Sequence, residues 1–209
     1  QGTYATAMGN QAGNVKQGAG AVAAGNGAGQ TSQGTHAIAV GQAAGNSEQG
    51  ASATAVGYQA GQTSQGASAT AVGYLAGNSE QGAYSVAVGL NAASTAQAAN
   101  SVAIGVNAGR SNQGAEATAV GNAAGYTGQG ANGTALGAVA GHSNQGAQAT
   151  AVGREAATNR QGDNATALGY QAGKDDQGAS AVAIGNGAAI TAQGTETVAI
   201  GTASAQTSQ

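Results

Sequence analysis

Glutamine recurs at every sixteenth residue of this chain, from Gln1 through Gln17, Gln33 and Gln49 to Gln209, with no insertion or deletion between them. Numbering each repeat from its Gln, Gly stands at position 2 except at Ala98. Ala fills position 7 from Ala7 to Ala199, and Gly fills position 9 from Gly9 to Gly201. So strict a period marks stacked units rather than a globular core. A stretch such as Ala53-Thr54-Ala55-Val56 alternates with period two and stops at Gly57, which does not suit an amphipathic helix. Sixteen residues suffice for two short strands and two turns. The repeat therefore predicts an all-β chain, a parallel β-solenoid of thirteen coils and one array over residues 1–209. Equal length has a physical cause: each residue stacks on its equivalent, and one extra residue would flip all that follow in its strand to the other face. At ~4.8 Å per coil the expected rod is ~60 Å long.

Composition narrows what such a rod could do. Only 6% of the residues are charged and the net charge is −3, so nothing attracts nucleic acid. There is no Cys, hence no disulfide or thiolate metal site, which suits an extracellular object. No apolar run approaches a membrane span, and no membrane contact is expected of this segment. No cap differs from the repeat at either end, which implies a piece of a longer chain or a filament that stacks end to end.

Alternation assigns faces. Odd positions 15, 1, 3, 5 and 7 carry small residues and Gln, and are expected inside, with the Gln side chains stacked as an amide ladder. An exposed row of Gln is the competing expectation. Even positions 4, 14 and 16 vary and face water. Positions 6 and 8 share the outward parity yet stay mostly apolar. Position 6 is Thr, Val or Ile. Position 8 holds Met8 and Ala24, then Val40, Val56, Val72, Val88, Ile104, Val120, Leu136, Val152, Leu168, Ile184 and Ile200. An apolar stripe of that extent predicts a partner surface. Each aliphatic side chain covered would contribute at most ~1.5 kcal/mol. An identical stripe on each copy favours a symmetric homo-oligomer about the rod axis, and Val40 to Ile200 of position 8 are the candidate interface residues.

The segments Ser101-Val102-Ala103-Ile104-Gly105, Ala181-Val182-Ala183-Ile184-Gly185 and Ser85-Val86-Ala87-Val88-Gly89 resemble the signature of the head repeats of YadA-type trimeric autotransporter adhesins. Similar repeats occur in phage and large-virus surface fibres. The resemblance covers all thirteen units. It implies a left-handed β-roll, a trimer with the Val and Ile of the signature at its centre, and attachment outside the cell. The chain departs from the family in the Gln-Gly opening of each unit and in the Thr at position 6 of many units. It also carries no neck, stalk or anchor sequence.

No catalytic constellation stands out. His36 and His142 lie six coils apart. Gly25-Asn26-Gly27-Ala28-Gly29 has the look of a phosphate-cradling loop, but Gly25 and Gly29 are repeat positions and no helix follows, so it reads as a turn. Asp163, Asp175 and Asp176 share one unit, either as a hydrated, distorted coil or as a local cation site. Asn132 and Asn164 open N-glycosylation sequons at position 4. Tyr58, Tyr74, Leu90 and Tyr170 are candidate surface-recognition residues, with a stabilising surface column as the plainer role. The expected function is a non-enzymatic structural and adhesive module of an extracellular fibre, without cofactor or metal. An ice-binding or ice-nucleating solenoid and a self-assembling filament are the alternatives.

Overall fold

In the coil from Gln49 to Ser64, five residues have positive φ: Ser52 (57°), Gly57 (131°), Gln59 (51°), Gly61 (51°) and Ser64 (53°). Each one turns the chain out of extended geometry. Thr54–Val56 is a three-residue strand between two of them, and Thr63–Gln65 is a second strand that has left-handed Ser64 at its centre. One turn closes with Ala53 N–H donating to the Gly50 carbonyl at 3.3 Å, the other with Ala60 N–H donating to Gly57 at 3.5 Å. In both, the third residue is left-handed, as type II geometry requires. The same five positions are left-handed throughout the computed structural model, which describes residues 1–205.

Coils pair in parallel with their equivalents in register. Thr54, Ala55 and Val56 face Thr70, Ala71 and Val72, while Thr63 and Gln65 face Ser79 and Gln81. Backbone bonds join the corners as well as the strands: Gln59 N–H reaches the Gln42 carbonyl at 2.9 Å and Gly61 N–H reaches Ala76 at 2.9 Å. The chain is thus a parallel β-solenoid of about 12 turns, with no helix among the described residues.

The residues group into two compact units, Gln1–Ile104 and Gly105–Gln209. In the first, one sheet runs from Thr6–Met8 to Val102–Ile104 and a second from Thr31–Gln33 to Thr95–Gln97. In the second, the corresponding sheets run from Thr118–Val120 to Val198–Ile200 and from Ser111–Gln113 to Thr191–Gln193.

Close stacking explains the fixed glycines. A Cβ on Gly57 would lie 2.5 Å from the Gly73 carbonyl oxygen, and one on Gly50 would lie 2.5 Å from the Ala67 nitrogen. The interior is correspondingly narrow. Ala53, Ala55 and Ala60 are fully buried, and in the coils from Gln17 to Gln193 the one large side chain inside is the Gln of position 1.

Two of the expected inward positions are not inward. Ala51 and Ala67 at position 3 are exposed, as are Thr31 and Thr63 at position 15. The cause is the left-handed residue at position 16, such as Ser64, and at position 4, such as Ser52. A left-handed residue acts as a bulge, so residues on its two sides no longer share a face. Position 1 turns in while position 15 stays out. Positions 12 and 13, which alternation did not assign, complete the interior.

Candidate functional site

The glutamines form the internal ladder. Gln33 Nε2 donates to Gln49 Oε1 at 3.1 Å, Gln49 to Gln65 at 3.0 Å and Gln65 to Gln81 at 3.0 Å. Each Nε2 also donates to a position 6 carbonyl of the preceding coil: Gln49 to Ile38 at 2.8 Å and Gln65 to Thr54 at 2.9 Å. Both amide hydrogens are thereby used, which is what burial of a primary amide demands. In the second unit Gln145, Gln161, Gln177 and Gln193 repeat the pattern at 3.0–3.2 Å. At Gln129 it is interrupted: Nε2 donates to the Thr118 and Gly133 carbonyls at 2.8 and 3.1 Å, and the buried Gln145 Oε1 receives no hydrogen bond.

With the interior occupied by Ala and Gln, the larger aliphatic side chains must lie outside. In the first unit Val56, Val72 and Val88 are half-buried on the outer face of their sheet, and Val40 and Ile104 are exposed by 38% and 40%. In the second, Val120, Val152 and Ile184 are half-buried, while Leu136, Leu168 and Ile200 are exposed. The strands also carry the position 6 column beside them, with Ile38, Thr54, Thr70, Val86 and Val102 in the first unit. No charged residue stands in either column among the described residues. Each unit therefore presents an uncharged sheet face whose side chains are only partly covered.

Aromatic residues lie beside that face. Tyr58 and Tyr74 stack on each other with ring centroids 5.0 Å apart and planes 11° apart. Their facing ring surfaces are spent on one another. Leu90 continues the column and is exposed. Tyr170, in the second unit, lies under the guanidinium of Arg154, 5.5 Å from its ring centroid.

A column that period-two patterning does not single out is position 14. Asn46 Nδ2 donates to Gln30 Oε1 at 3.0 Å and Asn78 Nδ2 to Gln62 Oε1 at 3.1 Å. Ser47 and Ser79 donate to the Asn beside them, and Ser64 donates to Glu48 at 3.0 Å. These side-chain bonds run from coil to coil, following the alternation of Gln-Thr-Ser with Asn-Ser-Glu at positions 14–16. In the second unit the same column holds Arg110, Tyr126 and His142. The last two are stacked at 4.8 Å, and Arg110 both bonds the Tyr126 hydroxyl and lies over its ring. Burial in this stack holds the His142 pKa below its ordinary value.

Charge concentrates on two neighbouring coils of the second unit. Glu155 accepts from Gln171 at 2.8 Å and pairs with Arg154 at 2.9 Å and Lys174 at 3.7 Å. The Gln171 bond, followed by the two cations, holds the Glu155 pKa below its usual value against the opposing effect of desolvation. The three aspartates do not converge. Asp163 accepts from the Ala147 N–H at 2.8 Å, Asp175 accepts from Asn159 at 2.6 Å, and Asp176 pairs with Arg160. Asp163 and Asp175 occupy outward positions, which corrects their expected inward placement and removes the ground for a distorted coil. No group of three metal-ligating side chains exists among the described residues.

No protein-family model matches the chain, and no curated protein is significantly similar to it.

Proposed function

We propose that this chain is a non-enzymatic structural and adhesive module of an extracellular fibre, whose copies associate into a homo-oligomer through the uncharged face of positions 6 and 8. The observation that carries this is the half-exposed column of Val56, Val72, Val88 and its counterpart Val120, Val152, Ile184, on sheets whose interiors hold little more than Ala and Gln. Such a solenoid cannot bury its aliphatic residues alone, and association through like faces is the direct remedy. The likeness of Ser101–Gly105 and its equivalents to adhesin head repeats supports a trimer, a left-handed coil and placement at a cell or virion surface. The network of backbone and amide bonds suits a shaft that must stay folded while exposed, and the varied letters at positions 14 and 16 supply the displayed surface.

Sedimentation equilibrium with negative-stain imaging tests it. A trimeric rod is the expected result, indefinite fibres would favour end-to-end stacking, and a monomer at all concentrations overturns it. Thermal hysteresis above that of buffer would shift the assignment to ice binding.

A further inference from the structure

The apolar face of the first unit is wider over three coils than elsewhere, and the extra width lies on its flanks. On one flank, position 10, stand Tyr58, Tyr74 and Leu90. On the other, position 4, stand Ser52, Ser68 and Tyr84. Tyr84 is exposed by 66% and Leu90 by 44%, although both lie beside the strand Val86–Val88. None of these residues is charged. The paired rings of Tyr58 and Tyr74 leave no two adjacent free faces on which a sugar chain could stack. The two flanks are also complementary in size within each coil: Tyr58 accompanies Ser52, and Tyr74 accompanies Ser68.

We propose that Tyr58, Tyr74 and Leu90 are not a receptor site but the edge of the contact between copies, where they receive the Ser52, Ser68 and Tyr84 edge of a second copy of this chain at the same height. This rests on the homo-oligomer proposed above. In a ring of parallel copies each strand runs the same way, so the position 10 flank of one copy must meet the position 4 flank of the next. Large side chains then meet small ones at two coils, and Tyr84 packs on Leu90 at the third. A slip of one coil would set Tyr74 against Tyr84 and leave Leu90 facing Asn100. The flanks thus specify both ring closure and register, while the Val column between them supplies the common apolar surface.

The chain has no Cys, so cross-linking reads the contact directly. The full chain carrying Tyr84→Cys and Leu90→Cys is assembled, oxidised and run on a non-reducing denaturing gel, with Ser68→Cys plus Tyr74→Cys as a second pair. The expected product is a closed covalent ring with the copy number that sedimentation gives for the unaltered chain. Each single Cys variant should cross-link roughly tenfold less, because a disulfide needs Cα atoms within about 7 Å. Strong self-linking of Tyr84→Cys alone would mean that like flanks meet, and overturns the proposal. An intact oligomer in which neither pair links overturns it too, and returns Tyr58 and Tyr74 to an outside ligand. Circular dichroism confirms that the variants fold. A chain that stays monomeric instead removes the oligomer itself, a failure recognisable before any Cys is introduced.

Discussion

Gln49 donates its amide hydrogen to Gln65 across 3.0 Å inside a coil where both side chains are only 2% exposed. One buried amide satisfying the next makes each coil's interior depend on its neighbour. Replacing Gln65 by Leu removes the partner of one Gln49 amide hydrogen and the donor to the Gln81 Oε1. At ~1–3 kcal/mol for each stranded group, the expected loss is several kcal/mol, read from chemical denaturation. Gln65→Glu tests the same point through pH. Burial raises a carboxyl pKa, so the penalty is absent near pH 4 and grows as pH rises toward neutrality. Equal stability at both pH values would count against the ladder.

The five left-handed positions are not equivalent. Gly57→Ala places a methyl group 2.5 Å from the Gly73 carbonyl at a φ of 131°, a region essentially closed to side chains. A loss of at least about 3 kcal/mol, or failure to fold, is expected. Gly61→Ala, at a φ of 51°, reproduces what Ala93 and Ala157 already do at 46°, and should cost only about 1 kcal/mol. Thermal melts of the two variants side by side check the contrast.

Val139 is a β-branched residue at a φ of 62°, where its side chain crowds its own backbone. Its N–H still donates to the Asn122 carbonyl at 2.8 Å, so the strain is held by the stack. Val139→Asn keeps that bond and suits the left-handed region, as Asn91 and Asn107 do at the same position. A gain of about 0.5–1 kcal/mol in unfolding free energy is expected. A loss would show that the Val139 side chain contributes more than it strains.

Acid should weaken the second unit in two steps. The stacked His142 has a depressed pKa, so the unfolded chain takes up its proton first, and stability falls as pH drops below about 6.5. The depressed Glu155 pKa gives a further loss below about pH 4.5 as its pairing is protonated away. His142→Asn should remove the first fall and leave the second. Denaturation midpoints at pH 8, 5.5 and 3.5 would separate them.

Val72→Asp puts a carboxylate in the middle of an uncharged face without touching the interior. The coil should keep its circular dichroism, while the dissociation constant of the oligomer rises about a hundredfold or more. Unchanged sedimentation would place the contact elsewhere.

Much of this architecture is written in the letters themselves. The sixteen-residue spacing of Gln, with Ala55 and Gly57 behind it, requires coils of equal length, and the alternation through Thr54–Val56 separates Ala55 from Val56 correctly. Both follow from strictly local rules: the pleat has period two, and stacking tolerates no change of length. The second strand defeated those rules. Thr63 and Gln65 are two residues apart, yet one is exposed and the other buried, because Ser64 between them is left-handed. Ser carries no local signal for that conformation. It is imposed by inter-coil hydrogen bonds such as Ser32 N–H to the Val15 carbonyl, which outweigh the cost of the dihedral. The Tyr58–Tyr74 stack was visible as a column in the repeat, but the loss of its facing ring surfaces became apparent from the 5.0 Å separation. Periodicity settled which residues are equivalent; where each equivalent set points depended on backbone angles that the stacked neighbours enforce.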